Sequence, residues 1–203
     1  RAWDGSGYHI YAYDLEAGSP AVIDISGSAI NPDCFHTRGR VIVWHSGTSP
    51  DFTVHIYKFD DDELISVPVY AKDTIPYSKT DGRFVTWMAG PWPVFDIYAY
   101  DLGAAVPAPV KLTNGGWNAM PVVDNGIVAW YGGGGGDVDE IYYADAKLAT
   151  PLVVRITNNA VGDQYPEISN GVIVWAASDG SDREIYYYDT KAATPSIVQI
   201  TNN

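Results

Sequence analysis

The chain has 203 residues, with 12 Lys+Arg against 25 Asp+Glu, a formal net charge of −13 and a pI near 4.4. That length suits one domain or two small ones, and an apolar content of 46% is enough for a core. The acidity excludes nucleic acid as a partner, because few cations are there to displace counterions from phosphates. An α-rich fold is excluded too: Gly 20, Pro 13, Tyr 15 and Trp 7 favour turns and strands, and 20 of the 25 acids are Asp. Cys34 is the single cysteine, so no intrachain disulfide can form. No run approaches the roughly 18 apolar residues of a membrane span. Arg1-Ala2-Trp3-Asp4 already falls inside a structural pattern, so the chain is expected to be processed or a piece of something longer.

Taken in chain order, the elements repeat. Trp3 comes first, followed by Ile10-Tyr11-Ala12-Tyr13-Asp14. Pro32 then precedes Val41-Ile42-Val43-Trp44 and Ile56-Tyr57. Pro76 precedes Phe84-Val85-Thr86-Trp87, then Ile97-Tyr98-Ala99-Tyr100-Asp101 and Val110-Lys111-Leu112-Thr113-Asn114. Pro121 leads to Ile127-Val128-Ala129-Trp130, Ile141-Tyr142 and Arg155-Ile156-Thr157-Asn158-Asn159. Pro166 leads to Val172-Ile173-Val174-Trp175, Ile185-Tyr186-Tyr187-Tyr188-Asp189 and Gln199-Ile200-Thr201-Asn202-Asn203. The four later tryptophans are spaced 43, 43 and 45 apart, and the prolines 44, 45 and 45. Landmarks kept in step at this period mark a repeat architecture.

Each unit reads as four short strands. In the last, strand A lies around Gln164–Ile168 and Asn170-Gly171 makes a tight hairpin turn. Strand B is Val172–Ala176, strand C is Glu184–Tyr188 and strand D is Ile197–Thr201. Strand B is apolar at every position, which predicts a sheet covered on both faces. A small four-stranded sheet repeated every ~44 residues is a propeller blade. The expectation is an all-β, single β-propeller domain over 1–203, with units at about 1–27, 28–71, 72–115, 116–159 and 160–203.

The landmarks resemble the TolB-like (WD-like) β-propeller repeat family. The match is best over Asp163-Gln164-Tyr165-Pro166-Glu167-Ile168-Ser169-Asn170-Gly171-Val172-Ile173-Val174-Trp175, continuing to Ile185-Tyr186-Tyr187-Tyr188-Asp189 and Ile200-Thr201-Asn202. It spans the chain and is weakest in the second unit, where Asp60–Ala71 lacks the Ile-Thr-Asn ending. The resemblance implies an extracytoplasmic propeller: secreted, periplasmic or at the cell surface. It implies no catalytic residue, because none belongs to the shared pattern.

Trp44, Trp87, Trp130 and Trp175 are read as packing between blades, and Asp14, Asp60, Asp101, Asp145 and Asp189 as turn caps. The slot before Ile-Tyr holds His9, His55, Asp96, Glu140 and Glu184, and is read as a polar strand edge. Residues that break the repeat say more. Aligned on the prolines, Asp33, Tyr77, Val122 and Glu167 share one inner-strand position, and Ala29, Asp73, Asn118 and Asp163 another. Asp33, Asp73, Asp163 and Glu167 would then line one channel, as solvated acids, a cation site or an acid/base pair. Trp92, between two prolines, and Trp117 are candidate contacts for sugar or protein. The B–C loops offer Asp137, Asp139, Asp179 and Asp182 as metal ligands, with Ca²⁺ the ion they would take. No spacing for nucleophilic catalysis or a phosphate loop is present among His9, His36, His45, His55 and the five-glycine run.

The reading taken is an extracytoplasmic binding or structural module, with a protein or polysaccharide partner. The alternative is a carboxylate-based glycoside hydrolase or lyase working in the channel. Five units of ~44 residues need about 220 residues, and the shortfall is all at the front. A fragment of a longer propeller, or self-assembly or strand exchange at an incomplete first blade, is therefore expected.

Overall fold

The computed structural model describes residues 2–3, 5, 7–16, 18–26, 32–133, 138–178 and 180–202. Among them there are strands and turns and no α-helix, hence no helix long and apolar enough to cross a membrane. Two short pairs come first: β1 (Ala2–Trp3) with β2 (Tyr8–His9), and β3 (Tyr11–Tyr13) with β4 (Val22–Asp24). Four antiparallel four-stranded sheets follow. They are β5 (Asp33–Arg38), β6 (Val41–Thr48), β7 (Asp51–Lys58) and β8 (Glu63–Tyr70); β9 (Ser78–Thr80), β10 (Phe84–Ala89), β11 (Asp96–Asp101) and β12 (Pro109–Lys111); β13 (Trp117–Asp124), β14 (Ile127–Gly133), β15 (Glu140–Asp145) and β16 (Val154–Arg155); and β17 (Asp163–Ser169), β18 (Val172–Ser178), β19 (Arg183–Asp189) and β20 (Ile197–Gln199). Each is a meander, its strands hydrogen-bonded in chain order.

Turn chemistry sets the hairpins. Asn125-Gly126 and Asn170-Gly171 both hold φ positive at two successive positions, at 48° and 72° and at 52° and 83°. This is the left-handed pair a two-residue hairpin needs to follow strand twist, and Asn and Gly tolerate it best. Four of the five expected caps form, and Asp60 instead pairs with Arg40. The side chains of Asp14, Asp101, Asp145 and Asp189 accept the N–H two residues on, at 2.8–3.0 Å.

The first strand of each sheet faces its counterparts: β5 packs on β9, β9 on β13 and β13 on β17. The second strand of one sheet also covers the first of the next, as β6 on β9, β10 on β13 and β14 on β17. That arrangement buries both faces of the second strands, and every residue of β10 is buried. Trp44, Trp87, Trp130 and Trp175 are all at most 2% exposed. Each stacks on the ring opposite it in the third strand: His55, Tyr98, Tyr142 and Tyr186, with centroids 5.2–6.1 Å apart. Burial of each such side chain stabilises by about 1.5–3 kcal/mol, and the ring pair adds about 0.5–1.5 kcal/mol.

One register differs from the proline alignment. A bulge interrupts β5 between Asp33 and His36, β13 between Ala119 and Val122, and β17 between Gln164 and Glu167. Cys34, Met120 and Tyr165 carry the positive φ of those bulges, at 50°, 48° and 57°. Pro121 and Pro166 sit in the bulge, whereas Pro32 lies before it. Counted from the hairpin, the residues level with Val122 and Glu167 are therefore His36 and Lys79, opposite Val43 and Thr86. Asp33 and Tyr77 are not at that level.

Candidate functional site

The slot before Ile-Tyr is not a strand edge. Glu140 and Glu184 are 2% and 0% exposed, and His55 is buried. His9, His55, Asp96 and Glu140 each organise a polar knot with groups 9–19 positions away in sequence, which a strand-by-strand reading does not see. In the sheet of β9–β12, Asp96 accepts Thr113 Oγ1–H at 2.9 Å and Gly115 N–H at 2.6 Å, and pairs with Lys111 at 2.7 Å. In the sheet of β13–β16, Glu140 accepts Arg155 Nη2–H at 2.8 Å and Asn159 N–H at 2.9 Å. In the sheet of β5–β8, His55 lies between Ser46 Oγ at 2.7 Å and Ser66 Oγ at 2.9 Å. His9 meets Asp24 at 2.6 Å.

The Ile-Thr-Asn ending completes these knots. Thr113, Thr157 and Thr201 each accept, through Oγ1, the N–H of the Ile that follows the slot, at 2.8–2.9 Å. Ser26 does the same for Ile10 at 3.1 Å. Leaving a buried N–H unbonded costs about 1–3 kcal/mol, so the hydroxyl takes the place of a backbone acceptor where the outer strand is short.

The inner carboxylates divide by task. Asp163 is buried; it accepts Trp175 Nε1–H at 2.6 Å and Asn159 Nδ2–H at 2.7 Å. Burial raises its pKa and those hydrogen bonds oppose the rise, as Glu140 nearby adds to it. Asn118, twelve residues before Trp130, makes the same indole contact at 3.0 Å. Asp73 is exposed in the segment before β9 at a φ of 59°, its N–H held by Ser49 Oγ at 3.0 Å. Asp33 is exposed beside His45, and Glu167 is exposed at the cavity between the first strands. Among the described residues no group of three or more His, Cys, Asp or Glu is placed to hold a metal ion. Asp137 and Asp179 lie outside the described residues. Asp139 accepts Gln164 Nε2–H, and Asp182 is exposed.

Trp92 and Trp117 are brought together. Their rings meet edge to face at 5.1 Å, and both contact the buried Phe95, at 5.9 Å and 5.3 Å. The loop is fastened by its backbone: Trp92 N–H donates to Lys72 O at 2.9 Å and Phe95 N–H to Gly116 O at 2.8 Å. Phe95 anchors the pair from below, yet Trp92 stays 59% exposed beside exposed Pro91, Pro93 and Val94. A groove of about 450 Å³ runs from Trp117 between Leu112, Tyr142 and Val153.

No protein-family model and no curated protein sequence matches the chain. Solved structures do. Over 96% of its length the chain is similar to TolB from Acinetobacter baumannii, with a TM-score of 0.56 and 16% identity, covering 49% of that chain. It is similar, again over 96%, to an acylaminoacyl peptidase from Pyrococcus horikoshii, with a TM-score of 0.65 and 14% identity, covering 35% of that chain. It thus spans about half the length of the first and about a third of the second. Similarity to a chain of a nidogen/laminin complex covers 93% of this chain and 71% of that one, with a TM-score of 0.51 and 12% identity. With its four-stranded meanders packed first strand to first strand, the chain has the TolB-like β-propeller fold.

Proposed function

We propose that the chain is a recognition module of an extracytoplasmic propeller, and that it meets a protein partner through Trp92 and Trp117. The observation that carries this reading is the aromatic pair itself. Trp92 from the loop between β10 and β11 and Trp117 at the start of β13 converge, and Trp92 stays mostly solvent-exposed on a loop held by backbone hydrogen bonds. A rigid exposed Trp beside an apolar groove is the usual anchor of a protein interface. The structural similarity to a chain of a nidogen/laminin complex supports a protein over a polysaccharide, and the similarity to TolB supports the compartment. The hydrolase reading is disfavoured because Asp163 is engaged with Trp175 and Asn159.

We read the five repeats as blades of one domain, the first short of its inner strand. In support, Trp3 is 60% exposed and Ile185 39%, whereas Trp44 and Ile56, Ile97 and Ile141 are fully buried. A neighbouring strand or a further copy would cover these faces.

The test immobilises the wild-type chain and the Trp92→Ala variant against extracytoplasmic proteins, with a glycan array in parallel. A protein retained by the wild type and lost with Trp92→Ala supports the reading. A glycan bound and lost in the same way overturns the choice of a protein partner. Equal retention by both chains overturns the site.

A further inference from the structure

The level shared by His36, Lys79, Val122 and Glu167 surrounds a cavity of about 50 Å³, with Arg38 and Thr80 completing its basic side. One inner strand of each four-stranded sheet contributes. In a chain with 12 cationic residues against 25 acidic ones, two cations and an imidazole gather here around a single carboxylate.

Lys79 forms no ion pair among the described residues, and its ammonium lies 5.3 Å over the Tyr77 ring. Arg38 is half exposed and held by one oxygen of Asp124 at 3.0 Å, while the other Asp124 oxygen accepts Asn170 N–H at 2.7 Å. His36 Nδ1 accepts Thr80 N–H at 3.3 Å, so its proton sits on Nε2, which is then a donor. Burial, and next the charges of Lys79 and Arg38, hold the His36 pKa below the ordinary imidazole range. With His36 held neutral and Arg38 paired to Asp124, Lys79 is the cation of the cavity left without a bonded anion among the described residues.

We propose that this axial cavity binds a carboxylate, supplied by a small organic acid or by the free C-terminus of a peptide. Lys79 provides the charge, His36 Nε2–H a neutral hydrogen bond, and Arg38 a second cation at the rim. Glu167, opposite, favours a singly charged group over a polyanion. The volume has room for only a few waters at about 10–15 Å³ each, so a headgroup enters and the rest of the ligand stays outside. This site is separate from the aromatic pair and does not depend on it.

Titration followed by the His36 ring signals in NMR tests the proposal, at fixed ionic strength set with chloride. The probes are acetate and a short peptide with either a free or an amidated C-terminus; His55 serves as the internal reference. A saturable shift confined to His36 is expected, with its apparent pKa rising on binding. Lys79→Gln should weaken binding about tenfold, as expected for loss of one desolvated charge pair worth about 1.4 kcal/mol. Glu167→Gln, at an exposed position that folding does not need, should tighten it about threefold by removing a like charge. Binding of acetate points to a free acid; binding of the free-ended peptide alone points to a protein terminus. No saturable shift with any probe, or an unchanged response in both Lys79→Gln and Glu167→Gln, overturns the proposal.

Discussion

The sheets β5–β8 and β13–β16 arise from the same repeat but satisfy their interiors differently. In the second of these, β15 pairs with β16 over two residues only, and the chain then turns so that Thr157 accepts Ile141 N–H and Asn159 N–H donates to Glu140. Side chains finish what the backbone ladder leaves open. In the first, the Ile-Thr-Asn ending is missing, and β7 pairs with β8 over eight residues. The ladder itself does the work, and the slot needs only an imidazole between two serines. Even the tryptophans follow the split: Trp130 Nε1–H has Asn118, whereas Trp44 Nε1 has no partner among the described residues. A blade is thus closed either by a long strand or by a short strand with a hydroxyl hook.

Substituting the tryptophans should give the largest effect. Trp130→Ala and Trp44→Ala each remove a fully buried ring, with a loss of about 3–5 kcal/mol in chemical denaturation. Phenylalanine sharpens the contrast. Trp130→Phe leaves Asn118 Oδ1 without its donor and should cost about 1 kcal/mol more than Trp44→Phe, which deletes an N–H that is already unbonded. Equal costs would break the comparison.

Thr157→Val comes next. It keeps the shape, strands Ile141 N–H, and should lose about 1–3 kcal/mol. Ser66→Ala in the other sheet removes one of two contacts to His55 and should lose less, about 0.5–1.5 kcal/mol.

The repeat, the hairpin at Asn170-Gly171 and the buried tryptophans were legible because each is a local pattern with one physical cause. The inner-strand level was not. Proline marks the bulge in β13 and β17 but precedes it in β5, so aligning on proline put Asp33 and Tyr77 where His36 and Lys79 stand. The slot was misread for a different reason. His, Asp and Glu at one position look like solvent tolerance, and only the fold shows Arg155, Thr113 or Ser66 waiting to receive them. Trp92 and Trp117 were each conspicuous alone; that they touch is tertiary information.

Acid should separate the two sheets by a smaller margin. Burial lowers the pKa of His36, His45 and His55, all in the sheet β5–β8. The unfolded chain then takes up protons first, so stability is full above the unfolded value of about 6.5 and declines as pH falls below it toward the folded values. Amide exchange should show β6 and β7 losing protection as pH drops from about 7 to about 5, ahead of β14 and β15. Simultaneous loss in both sheets would contradict the assignment, and His55→Gln should flatten the slope.

The most direct measurement is hydroxyl-radical footprinting of the chain alone and with the protein it captures. Trp92 and Leu15 are both exposed in the free chain, at 59% and 82%. If the aromatic pair is the recognition surface, oxidation of Trp92 falls several-fold in the complex while that of Leu15 is unchanged. Undiminished oxidation of Trp92 in a saturated complex would contradict the account.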